Sequence, residues 1–235
     1  MSLPENVRVD WNTLGDLSTS DLQSFLQNAY KELRIGSNQA TALVSVESFL
    51  AISKLANHSE VSTLAIDILK CAWNQLGQED KCFLLARFQE QLSDDSAEMA
   101  SLKIELCGSF QHERSKEILM SAIKLESVGA KAIPYLQKYA LSATELETLT
   151  SEVDEVVLLR IIDVASALNI ESQKWASSKL LSLLTKSKDD PLLLINVFES
   201  LSDINVTVIH DSIDILHQCL FDPGWGSYQT TKTKK

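Results

Sequence analysis

The stretch DDPLLLINVFESLSDI, Asp189 to Ile204, decides the fold. It is too apolar for a helix with one dry face and three wet ones, and it falls short of the roughly 20 apolar residues that cross a bilayer. A helix of this length is marginal alone in water, because nucleation and conformational entropy offset its hydrogen bonds. It persists by burying its faces against neighbours, and each Leu, Ile, Val or Phe so buried contributes about 1.5–3 kcal/mol. Asp190 and Pro191 suit the N-cap and first turn, while Asn196, Glu199 and Asp203 mark its solvent side. The segments DDSAEMASLKIELCGSF from Asp94 and DEVVLLRIIDVASAL from Asp154 have the same plan, an acidic start and an apolar body. The last two starts lie 35 residues apart, which fits one helix pair per repeat, and the first interval is longer.

Working outward, helical spacing predicts helices over about 20–35, ending at Gly36, and over 39–56, 60–76, 79–92, 97–110 and 113–128, ending at Gly129. Pro134 is expected to start or kink the next, and further helices follow at about 145–149, 153–168, 172–186, 191–203 and 208–220. In the helix from Glu60 the polar residues form the narrow stripe (Thr63, Asp67, Lys70, Asn74), so most of its circumference needs cover. The helix from Val153 repeats this with Arg160, Asp163 and Ser166. No period-2 strand is present. Seven glycines and four prolines are too few for the turns of a sandwich or barrel.

These features predict an all-α chain, a right-handed α-solenoid of stacked HEAT/armadillo-like helix pairs. Residues 1–18 read as an N-terminal extension, 19–221 as the solenoid and 222–235 as a flexible tail, over which Trp225 is a candidate to fold back onto the last helix.

Composition narrows the function. A net charge of −11 repels a phosphate backbone, and no basic tract is interleaved with aromatics, so nucleic acid is not expected as a partner. No apolar run suits a membrane span or a secretory leader, which places the expected site of action in the cytoplasm, with the nucleus as a further compartment. Cys71, Cys82, Cys107 and Cys219 are scattered and read as small buried hydrophobes. His210 and His217, near Asp211 and Asp214, read as solvated or helix-end residues rather than metal ligands. Acidic pairs such as Asp94-Asp95 are explained by helix caps. No nucleophile elbow, P-loop or dinucleotide turn is found, so neither enzyme nor cofactor is expected.

What remains is protein binding. The helix ESQKWASSKLLSLLTKSK leaves one hydrophilic edge free to face a partner, and Lys174, Trp175, Ser178 and Lys179 are the candidate contacts, with core packing the competing role for Trp175. Peptide-binding armadillo receptors use Trp with Asn four residues on; here Gly77 and Lys179 follow Trp73 and Trp175, so that ladder is absent.

The motif DEVVLLRII, with Asp154 ahead of Leu159-Arg160, looks like the acid and Val-Arg dipeptide of many HEAT repeats, and DDSAEMASLKI, ending in Leu102-Lys103, is a weaker version. More specifically, KLANHSEVSTLAIDILKCAW at Lys54 to Trp73 and the run from Asp154 to Ile204 resemble the amino-terminal half of the 26S proteasome non-ATPase regulatory subunit 5 family. The similarity covers about residues 45–220 and rests on helix order, spacing and residue character. Members of that family are non-enzymatic assembly chaperones that bind the C-terminal helical domain of one ATPase subunit of the proteasome base. The resemblance implies such a partner here; a generic HEAT or armadillo adaptor for another protein is the alternative. The chain is about half the family's length, and the tail DPGWGSYQTTKTKK has no family counterpart.

Overall fold

Every regular element in the described part of the computed structural model is helical. The structure describes residues 11–36, 40–151, 153–186 and 191–209, together with His217. By its internal packing the chain divides into two units, Met1–Leu119 and Met120–Lys235, where the sequence reading takes 19–221 as one array. No described helix is long and apolar enough to cross a membrane.

In the first unit, helix α1 (Thr19–Ile35) starts where the Ser18 side chain accepts from the Asp21 N–H. It stops at Gly36, whose φ of 67° is the left-handed conformation that glycine adopts without a side-chain penalty. The helix expected over 39–56 is two elements, a 3-10 turn (Ala40–Leu43) and α2 (Val46–Leu55). The reason is a capping box: Ser45 Oγ accepts from the Ser48 N–H at 3.1 Å, and Ser48 Oγ accepts from the Ser45 N–H at 3.2 Å, which starts a new helix. Helices α3 (Ser62–Gln75), α4 (Gln78–Gln91) and α5 (Ala97–Ser109) follow. The stripe on α3 is as narrow as expected: Thr63 and Asn74 are exposed, while Ala65, Ile68, Leu69, Ala72 and Trp73 are buried.

Packing in this unit alternates. α1 packs on α3 and α3 on α5, while α2 packs on both α3 and α4. Residues 11–16, placed by the sequence in an N-terminal extension, form a 3-10 turn against α2, with Trp11 buried edge-on to Phe25. One aromatic each from α2, α3 and α4 (Phe49, Trp73, Phe88) meets in the core.

α6 (Glu113–Ala122) is six residues shorter than expected, and Gly129 begins a helix rather than ending one. The carbonyls of Ile123 and Leu125 do not continue α6; they accept from Arg160 Nη1 at 3.4 and 3.2 Å. Gly129 sits beneath this arrangement, and a Cβ there would lie 2.4 Å from the Ile123 carbonyl oxygen and 2.5 Å from Arg160 Nη1. Only glycine fits without a shift.

The second unit contains α7 (Gly129–Leu136), α8 (Ala143–Leu149), α9 (Glu155–Ser166), α10 (Ile170–Lys186), α11 (Pro191–Ser202) and the short α12 (Val206–Ile209). Pro134 lies inside α7 rather than at its start. An eight-residue helix tolerates this because its first N–H groups have no intrahelical partner, so the ring removes a single bond near the end. Asp154 caps α9, its Oδ1 accepting from the Val157 N–H at 2.8 Å. α7, α9 and α11 pack in succession, α8, α10 and α12 do the same, and each pair of consecutive helices from α8 to α11 also touches.

In α11, Leu193, Val197 and Leu201 are buried at helical spacing, whereas Leu192 is 75% exposed. The cover expected over nearly the whole helix therefore reaches one face and its flanks. Asp189 and Asp190, the body of the helix expected over 208–220, and the tail from Asp222 with Trp225 lie outside the described residues.

Candidate functional site

The four candidate contact residues lie on α10, where positions 174 and 178, and 175 and 179, each stand one turn apart. α10 is started by Asn169, whose Oδ1 accepts from the Ser172 N–H at 3.0 Å. Lys174 and Ser178 are exposed. Trp175 and Lys179 are half-buried, and a residue that the sequence did not single out joins them, Glu147 of α8. α8 is itself fixed by a capping box between Ser142 and Glu145.

Glu147 uses both carboxylate oxygens. Oε2 accepts from the Trp175 indole Nε1 at 2.7 Å, and Oε1 accepts from Lys179 Nζ at 2.8 Å. The same ammonium stands 5.6 Å from the Trp175 ring centroid, within cation–π range. The Lys179 hydrogen bond, followed by that of Trp175, holds the Glu147 carboxyl below its ordinary value. A carboxylate so engaged is an acceptor rather than a proton donor. Trp175 is thus neither core nor loose: it is an aromatic plate held in one orientation at the surface, the form in which Trp anchors protein contacts.

The polar stripe of α9 has a different use. Arg160 ties α9 to the Ile123–Leu125 segment, and Ser166 Oγ donates to the Asp163 carbonyl at 3.0 Å. Asp163 Oδ1 accepts from Ser200 Oγ of α11 at 3.3 Å. Burial pushes the Asp163 carboxyl above its ordinary value, the Ser200 bond opposes this, and Asp203 adds to the rise. The folded state therefore favours the protonated form, and stability falls as pH rises from the ordinary value through the raised one. Asp163→Asn, which keeps the acceptor for Ser200, raises the melting temperature by a few degrees at pH 7, and the gain shrinks towards pH 3. Thermal melts at both pH values check this; an equal gain at both would show that charge is not the cause.

Of the cysteines, Cys107 is buried and its thiol is pushed up to about 12 by burial, while Cys71 and Cys82 are half-buried. Cys82 Sγ lies 3.6 Å from His112 Nε2, and His112 Nδ1 accepts from the Arg114 N–H at 3.2 Å. That bond places the neutral imidazole proton on Nε2, facing the sulfur. Among the described residues no group of three or more His, Cys, Asp or Glu could hold a metal ion. His217 is exposed, and His210, Asp211, Asp214 and Cys219 lie outside the described residues.

Asp94 and Asp95 do not cap α5. Ser96 does, its Oγ accepting from the Met99 N–H at 3.3 Å, and Asp95 instead pairs with Lys103, Oδ2 to Nζ, at 2.6 Å. Relative to the cap, Lys103 comes one residue later than Arg160 does in α9, so the two similar motifs point their cations at different neighbours.

In comparison with known proteins, the chain matches no family model, no curated protein and no solved structure.

Proposed function

We propose that this chain is a non-enzymatic protein-binding scaffold, a right-handed α-solenoid that acts as an assembly chaperone for the proteasome base by binding the C-terminal domain of one of its ATPase subunits. The observation that carries the reading is the packing order: in the second unit, helices α8 to α11 touch both their immediate and their next-but-one neighbours, the order of stacked helix pairs, and in the first unit next-but-one neighbours pack along α1, α3 and α5 and from α2 to α4. The sequence resemblance over residues 45–220 supplies the choice of partner. The fixed Trp175, with Glu147 and Lys179, supports a contact surface on the α8–α10 edge, since an aromatic already held in place loses little freedom on binding. Its expected site of action is the cytoplasm, with the nucleus as a further compartment.

The test uses the full chain, immobilised, and the purified C-terminal domains of the proteasomal ATPase subunits offered one at a time. One domain is retained and the others are not, and Trp175→Ala lowers the affinity at least ~10-fold. Retention of none overturns the chaperone reading and leaves a HEAT or armadillo adaptor for another protein. Unchanged retention by Trp175→Ala places the contact on another face.

A further inference from the structure

Cys71, Cys82 and Cys107 stand in described parts of the chain, and their surroundings differ. Cys107 is buried, and a thiol pushed up to about 12 leaves almost no thiolate at pH 7. Cys71 and Cys82 are both half-buried, so exposure alone does not separate them. What sets Cys82 apart is His112. Cys82 lies in the second turn of α4, and His112 stands directly ahead of α6. The His112 carbonyl accepts from the Lys116 N–H at 3.1 Å and its Nδ1 accepts from the Arg114 N–H at 3.2 Å, so this residue caps the helix. Its ring lies parallel to that of Phe110, at 5.7 Å and 5°. An imidazole fixed in this way directs Nε2–H at Cys82 Sγ, 3.6 Å away. Arg114 ties the same two segments a second time, its Nη1 donating to the Cys82 carbonyl at 3.5 Å.

A nucleophile within reach of an imidazole that a further group orients is the usual plan of an activated thiol. The roles here are specific. With Nδ1 engaged as an acceptor, Nε2 carries a proton, so His112 does not draw the proton from the thiol. It donates to the sulfur once that proton has gone to water. The thiolate is the attacking species, and a donor aimed at it stabilises the charge. Such a pair suits an electrophile that needs no second protein group to activate it, and a disulfide is one, since its leaving thiolate departs without prior protonation.

We infer that Cys82 is a site of reversible thiolation, exchanging with low-molecular-weight disulfides ahead of Cys71 and Cys107 while His112 Nε2–H holds the reacting sulfur. The Cys82 thiolate attacks one sulfur of the disulfide, a new S–S bond forms as the old one breaks, and the departing thiolate takes a proton from water. A second small thiol reverses the step. The inference is independent of the scaffold reading. Its test exposes the reduced full chain to oxidised glutathione at pH 7, stops the reaction with acid at intervals and quantifies the mixed disulfide at each cysteine by peptide mass spectrometry. Cys82 is modified at least ~10-fold faster than Cys71, and Cys107 stays unmodified in the folded chain. His112→Asn keeps a good helix cap on a side chain shorter than the one that reaches the sulfur, so it lowers the Cys82 rate to that of Cys71 and leaves the melting temperature unchanged. Cys82 reacting no faster than Cys71 in the native chain overturns the inference, and so does a His112→Asn chain that keeps the fast rate. The comparison of the thiols within the native chain needs no variant, so it decides even where His112→Asn melts early.

Discussion

Trp73→Ala lowers the stability of the chain by about 3–5 kcal/mol, the range for removing a fully buried Trp. Trp73 is 1% exposed and lies at the centre of the first unit's aromatic core. Its ring stacks on Phe88 at 5.8 Å and 25°, meets Phe49 at 6.1 Å and meets Phe110 nearly edge-on at 6.2 Å and 82°. Each such pair contributes about 0.5–1.5 kcal/mol beyond the area it buries. The indole Nε1 donates to Ser109 Oγ at 3.1 Å, and that hydroxyl donates onward to the Leu106 carbonyl at 2.7 Å. Ser109 thus keeps a partner when the indole is gone, and the loss is mainly one of packing. Trp73→Phe, which keeps a ring against Phe88, therefore costs less than half as much as Trp73→Ala. Urea denaturation of both variants checks the order; a cost below about 1 kcal/mol for Trp73→Ala would mean that the site collapses onto the gap.

That core illustrates what a sequence does and does not disclose. The period of apolar residues on α3 and the caps at Ser18 and Asp154 are local, and local pattern is what sequence carries most directly. Phe49, Trp73 and Phe88 lie one to a helix and Phe110 just past the end of α5, and no local spacing relates residues on different helices. Glu147 was invisible for the same reason, 28 residues from Trp175. Boundaries failed where side chains competed for one role. Asp94, Asp95 and Ser96 are all good caps, yet one helix start takes one cap, and Ser96 holds it. At 39–56 the Ser45–Ser48 pair was the missed signal for a new start. The end of α6 depended on Arg160, 37 residues beyond the Ile123 carbonyl that it takes.

Lys103→Met costs about 3–5 kcal/mol when made alone, and far less when made together with Asp95→Asn. The side chains of Lys103 and Asp95 are 4% and 15% exposed, and Nζ and Oδ2 are 2.6 Å apart. The ammonium also stands 5.3 Å from the centroid of the Phe88 ring. Removing the lysine alone leaves the carboxylate largely out of water with its cation gone, and that desolvation is what the single variant registers. Replacing both partners removes the charge altogether, and Met restores the bulk and a sulfur–aromatic contact with Phe88. A double-mutant cycle by urea denaturation thus returns a coupling energy of about 2 kcal/mol or more between the two sites. Additive costs would show that each group finds water or another partner by itself.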